Sequence, residues 1–250
     1  MEEKKEMNVY VYVIIITSVT ALILSLLYTS LNPIFEANKA EAKKKAILSC
    51  IPDDGINLDD PTSVDAAYQN VKMVAVTEEG QLYKSEDMDA INAMAVGGAK
   101  KYKHLEELDL ANEEKKGHDT RLYPVYEYTT GGNTYYVVAI RGNGLWDKIW
   151  AYVALEKDLN TIAGVYFDHK AETPGLGAEI KDSQAFKDQF IGKKIFNGAN
   201  VALTVLKRKK EGEHFVTGIS GATITSDGVT DMFASGMGYY EKYFETLHNH

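Results

Sequence analysis

Ser220-Gly221-Ala222-Thr223-Ile224-Thr225 sets three hydroxyl side chains among small residues directly ahead of a segment with helical periodicity. From Gly228 onward, Val229, Met232, Phe233, Met237, Tyr240, Phe244 and Leu247 recur at spacings of three and four, the pattern of one helix face. Ser226 or Asp227 is placed to cap that helix. A helix start offers unpaired N–H groups and the positive end of the macrodipole, and Gly218, Gly221 and Ala222 let an anion approach the backbone. The chemistry implied is phosphate binding, with the Thr225 hydroxyl beside the phosphate. The same residues also suit a capped loop that holds no ligand.

Two further loops carry side chains of interest. In Glu172-Thr173-Pro174-Gly175-Leu176-Gly177 the Pro-Gly pair suits the centre of a type II turn. Gly142-Asn143-Gly144-Leu145-Trp146 follows an apolar strand pattern and precedes Trp150, and two tryptophans so close read first as core packing.

The hexapeptide ending at Thr225 resembles the attachment motif of the covalent flavoproteins of the sodium-translocating NADH:quinone reductase (its C subunit) and of the related Rnf electron-transfer complex (its G subunit). The other two loops resemble further signatures of that FMN-binding family and stand in the family's order, so the likeness spans most of the chain. The resemblance implies that Thr225 carries FMN through a phosphoester, installed from FAD by a flavin transferase, with Ser220, Gly221, Ala222 and Thr223 around the phosphate. It places Glu172, Thr173, Leu176 and Gly177 along the isoalloxazine and makes Leu145 and Trp146 its walls.

A positive charge near the pyrimidine edge favours a reduced, anionic flavin, and Lys207, at the end of a strand, is the candidate. Glu172 reads as orienting its loop or bonding the flavin rather than as a proton donor. A flavin exchanges electrons by itself, so no catalytic residue of the chain is required. The role implied is a redox carrier, inactive toward NADH alone, in a membrane respiratory complex that couples NADH oxidation and quinone reduction to sodium export alongside other membrane and soluble subunits. The Rnf complex is the alternative; chain length, the insert at 53–116 and the Gly-Leu-Trp loop look more like the sodium pump.

A net charge of −9 argues against nucleic acid, whose backbone demands clustered Lys and Arg. The one dense basic run, Lys207-Arg208-Lys209-Lys210, lies between alternating stretches at 201–206 and 214–217 and reads as a solvated hairpin turn. Cys50 is the sole cysteine, which excludes an intrachain disulfide and a cysteine cluster for zinc or iron–sulfur, and the histidines show no metal-ligand spacing. Gly218-Ile219-Ser220-Gly221-Ala222 approaches a hydrolase nucleophile elbow, but has alanine where the pattern wants glycine and only His248 and His250 downstream. A membrane-anchored structural subunit without cofactor is a third class; it predicts a colourless protein.

These loops need a scaffold, and the sequence outlines one. Residues 9–31 are uncharged and mostly apolar, long enough at about 1.5 Å per residue to cross about 30 Å of hydrocarbon. No cleavage site follows cleanly, so an uncleaved transmembrane anchor in the lipid bilayer is expected at 1–35, then a charged juxtamembrane helix at 36–52. Apolar runs at 122–128, 134–140, 149–155 and 162–167 read as strands, the first two joined by a Gly131-Gly132 hairpin, and 182–190 as a helix opened by Ser183. Residues 53–64 have loop composition, and 87–116, polar and Ala-rich, reads as helical.

The fold class is α+β: one transmembrane helix, then a covalent FMN-binding domain at 53–250 with a mainly antiparallel sheet and flanking helices. Lysines on both sides of the anchor, Lys4 and Lys5 against Lys39, Lys43, Lys44 and Lys45, taken literally put the domain in the cytoplasm. The family resemblance implies the periplasmic side of a bacterial inner membrane, and long domains cross largely regardless of charge.

Overall fold

The uncharged N-terminal run folds as part of a 40-residue helix, α1 (Val9–Leu48), in the computed structural model, which describes residues 8–53, 55–95 and 99–248. Among the described residues it is the one helix long and apolar enough to cross a membrane. Its hydroxyls are satisfied within the helix: Thr17 Oγ1 donates to the Val13 carbonyl at 2.9 Å and Thr29 Oγ1 to that of Ser25 at 2.8 Å. An apolar solvent offers no other partner. α1 passes through Pro33 and ends at Leu48, so the charged segment expected as a helix from residue 36 continues the apolar one without interruption. Lys4, Lys5 and His250 lie outside the described residues.

The chain divides into two units, residues 1–43 and 44–250. Within the second, α2 (Pro61–Tyr68) is capped by Asp60, whose side chain accepts from Thr62 N at 3.0 Å. The 53–64 segment, expected as loop, thus already contains a helix start. Then come β1 (Lys72–Val76), β2 (Leu82–Tyr83), α3 (Met88–Ala93) and α4 (Leu110–Glu113). The continuous helix expected at 87–116 is absent from its described part: Asn92 bonds both the N–H and the carbonyl of Tyr102, and buried Glu113 accepts from Tyr102 Oη at 2.7 Å and Leu122 N at 2.9 Å. These ties hold the segment in short turns, and the Gly97-Gly98 pair falls at residues that are not described.

The sheet is completed by β3 (Tyr123–Thr130), β4 (Asn133–Asn143), β5 (Lys148–Leu155) and β6 (Ile162–His169), in spatial order β2-β1-β3-β4-β5-β6 and antiparallel throughout. Gly131 and Gly132 turn β3 into β4 with φ of 56° and 81°, the left-handed pair that a two-residue type I′ hairpin requires. After β6 come α5 (Glu179–Asp182) and α6 (Gln184–Asp188), the latter capped by Ser183 as its sequence indicates. Two small ladders follow, β7 (Phe196–Asn197) with β8 (Asn200–Val201), and β9 (Thr204–Leu206) with β10 (Phe215–Thr217). The last pair is parallel, so the basic run is not a hairpin turn; residues 207–214 carry the chain back to the starting edge. Alternation marks a strand but not its direction.

The chain closes with α7 (Thr223–Gly238) and α8 (Glu241–His248) where one helix was expected. Val229, Met232, Phe233 and Met237 of α7 are completely buried with Val138, Ile140, Val153 and Phe167 of the sheet, at about 1.5–3 kcal/mol per side chain. Ile47, Leu48, Val64 and Tyr126 form a separate buried cluster with Val137 and Ala154, on the sheet's other face. Residues 137 and 138 alternate between these clusters, as the period of two dictates.

Candidate functional site

The register of the sheet puts three connections at one end. Asn143 pairs with Lys148 and Ile149 with His169, so the β4–β5 loop and the segment leaving β6 emerge side by side. Helix α7 is aimed at the same end by glycine: a Cβ on Gly228 would collide with the Asn143 carbonyl, and one on Gly142 would stand 2.7 Å from Met232 Cβ. That close crossing fixes the start of α7 beside the β4–β5 loop.

Helix α7 begins four or five residues earlier than the capping pattern at Ser226 or Asp227 suggests. Ala222 is its N-cap and supplies no side-chain bond, while Thr223, Ile224 and Thr225 form the first turn. Ser226, expected as a cap, instead accepts the Ile219 N–H at 3.1 Å, tying the helix to the loop before it. Gly221 has φ of 79° and lies against Leu176, 2.9 Å from Leu176 Cδ2 by an added Cβ. The loop after β6 contains the expected turn: Leu176 N donates to Thr173 O at 3.1 Å, with Gly175 at φ 74°.

Glu172 joins all three segments. It is 4% exposed; its Oε1 accepts the Trp146 N–H at 2.9 Å and its Oε2 accepts the Thr225 hydroxyl at 2.6 Å. Its own N–H donates to His169 Nδ1 at 3.1 Å, and Trp146 Nε1 donates to Thr173 Oγ1 at 3.1 Å. Burial pushes the Glu172 carboxyl upward, but the Thr225 hydroxyl and the N–H groups of Trp146, Asp147 and Leu145 outweigh it and hold the group below its ordinary range, so it is ionised at neutral pH. Gly177 closes the arrangement: an added Cβ would strike Glu172 Oε2 and stand 2.7 Å from Thr225 Oγ1.

Around this buried pair the apolar side chains turn outward. Leu145 is 46%, Trp146 67%, Leu176 41% and Ile224 57% exposed, one or two from each loop. Trp146 is therefore not core, contrary to what the spacing of Trp146 and Trp150 suggests. Ser220 is exposed in the turn before α7, and Lys207 is exposed at the end of β9, next to the Leu206 carbonyl that accepts from Gly218 N at 2.8 Å. Sequence patterns did not single out His169, Gly228 or Ile224; an apolar isoleucine inside a hydroxyl-rich motif was the available signal for Ile224. Among the described residues the one histidine downstream of Ser220 is His248, and its ring nitrogens meet the carbonyls of Phe244 and Asp158.

The residues fit a phosphorylated, largely apolar planar ligand: a threonine hydroxyl and a helix start for the phosphate, and four exposed apolar side chains beside them. The architecture is that of a membrane-anchor helix followed by an α+β flavin-binding module, and the FMN-binding domain family model matches residues 144–237, which contain the first loop from Gly144 onward and the other two entirely. The chain is 32% identical over 226 residues to the C subunit of the Na(+)-translocating NADH-quinone reductase of Haemophilus ducreyi, covering 88% of this chain and 85% of that one. It is 31% identical to its counterpart in Neisseria meningitidis, over 91% of this chain and 88% of the other. The crystal structure of the C subunit from Parabacteroides distasonis superposes with a TM-score of 0.69 at 29% identity, covering 86% of this chain and 96% of that one. The chain belongs to the family of Na(+)-translocating NADH-quinone reductase C subunits.

Proposed function

We propose that this chain carries electrons on an FMN joined by a phosphoester to Thr225, as a subunit of a membrane complex that moves electrons from NADH to quinone and exports sodium. The observation that carries the reading is the convergence of Thr225, Glu172 and Trp146 from three distant segments on one apolar-rimmed site inside the matched FMN-binding region. The N–H groups of the α7 start and the small residues Gly221 and Ala222 hold the phosphate, flanked by Ser220 and Thr223. Leu145, Trp146 and Leu176 flank the ring system and exclude water from one side, while Thr173 fixes the Trp146 indole. Glu172 keeps the two loops in register, with Gly177 making room for it. Lys207 supplies positive charge at the end of β9.

Bound FMN supplies one- and two-electron exchange; the chain's residues hold it, set its potential and leave an edge exposed to partners. No residue oxidises NADH. Attachment requires a flavin transferase and FAD during maturation. The anchor α1 holds the domain at the membrane, on the periplasmic side of a bacterial inner membrane, and the other subunits deliver and remove electrons.

The test is complementation. In a complex lacking its own homologue of this chain, the flavin-loaded chain should restore NADH-driven quinone reduction and sodium uptake into inverted vesicles, and Thr225→Ala should restore neither. Restoration by Thr225→Ala would refute the carrier role.

A further inference from the structure

The hydroxyl assigned to the flavin phosphate is shut inside the folded chain. Thr225 is 1% exposed, its proton is held on Glu172 Oε2 at 2.6 Å, and Gly177 packs over its oxygen so closely that an added Cβ would sit 2.7 Å away. Bond formation needs phosphorus about 3–3.5 Å from Oγ1 with the leaving group opposite, an approach that a buried oxygen does not offer to a second enzyme.

The first turn of α7 also contributes no large apolar side chain to the core. Its N-cap, Ala222, contributes no side-chain bond and Thr223 and Ile224 are exposed; Ala222, Thr225 and Ser226 are buried, but the large apolar anchors begin only at Val229. A terminal turn of this kind frays without unfolding the core. Three bonds oppose fraying near Thr225: Ser226 Oγ with Ile219 N, Ser226 N with Ala222 O, and the charge-assisted contact from Thr225 to Glu172.

Resting on the assignment of Thr225 as the attachment point, we propose that the transferase acts on a locally opened chain, in which the first turn of α7 has lifted from the loop after β6, and that the Glu172–Thr225 hydrogen bond is the latch setting how often the turn opens. In the open state Oγ1 attacks the flavin-side phosphorus of FAD. The new O–P bond forms as the pyrophosphate bridge breaks, AMP leaves, and the hydroxyl proton is released. The attached Thr225 has no proton left to donate, so the latch cannot re-form and Glu172 keeps only its backbone N–H partners.

The experiment uses the full chain in detergent micelles with purified transferase, FAD and Mg2+. Flavin incorporation at Thr225 is followed by mass, and opening by amide hydrogen exchange at Ser226 and Asp227, whose N–H groups are the first to be bonded within the helix. In the parent chain, the labelling rate should level off with rising transferase at the opening rate given by exchange. Glu172→Ala should raise exchange and labelling together by about tenfold, the effect of losing one hydrogen bond to a charged group. Labelling at Thr225 faster than the turn opens overturns the latch, and so does a Glu172→Ala chain that exchanges faster but labels at the parent rate. A chain that takes no flavin at Thr225 even when its first turn is open overturns the attachment itself, and the latch with it.

Discussion

The Thr225 hydroxyl and the Glu172 carboxylate meet at 2.6 Å although 53 positions separate them in the chain. The contact locks the first turn of α7 to the loop after β6, and through Oε1 to the Trp146 N–H of the β4–β5 loop. A buried, ionised carboxylate accepting a hydroxyl and several N–H groups belongs to the stronger class of hydrogen-bonded pairs.

Glu172→Ala should therefore lower stability by about 2–3 kcal/mol, because donors on the β4–β5 loop and on α7 lose a charged partner. The folded-state pKa of Glu172 lies below its unfolded value, so its contribution is present above the unfolded pKa and is lost as pH falls through the folded one. Thermal denaturation of the parent should show a loss of stability on acidification that is smaller in Glu172→Gln. Identical pH profiles would show that Glu172 is not the group responsible.

Two glycines of α7 should answer the same substitution with opposite signs. Gly228→Ala drives a methyl into the Asn143 carbonyl at the crossing with β4 and should cost about 1–3 kcal/mol. Gly238→Ala meets nothing within 4 Å and should be neutral or stabilising by up to about 1 kcal/mol. Urea melts of both variants check this, and equal effects would mean that the close crossing does not position α7.

Much of the scaffold was readable because its signals are local. The Gly131-Gly132 hairpin, the Pro174-Gly175 turn and the apolar runs of β3 to β6 each declare themselves within a few residues. The start of α7 was not, because Ser226 has the composition of a cap but spends its hydroxyl on Ile219 N. The partnership of Glu172 with Thr225 and Trp146 was out of reach for a different reason: it depends on which strand ends lie together, a property of sheet register that no short window contains. β1 and β2 were hidden within a polar insert, and the parallel pairing of β9 and β10 was hidden because period-two alternation is blind to direction.

Trp146→Ala should leave the fold nearly unchanged, within about 0.5 kcal/mol, since the indole is 67% exposed. The FMN should remain attached, because the proposed attachment point lies on α7, but its absorption maximum and reduction potential should shift as water reaches the ring. An unaltered spectrum through a full redox titration would remove Trp146 from the cofactor site.

The side of the membrane is open to a direct check. An alkaline phosphatase fused after residue 248 should be active and a cytoplasmic fluorophore at the same point dark. The reverse pattern would place the domain in the cytoplasm, in line with the count of lysines beyond the anchor.

The central claim, that Thr225 bears the flavin, is tested most directly by peptide mapping of the denatured chain after coexpression with a flavin transferase. The account predicts one fluorescent peptide containing residues 220–225, heavier by one FMN less one water, with the modification on Thr225; Thr225→Ala should yield a folded, colourless chain and Thr223→Ala a partly labelled one. Flavin on Ser220 or Thr223, or a Thr225→Ala chain labelled like the parent, would contradict it.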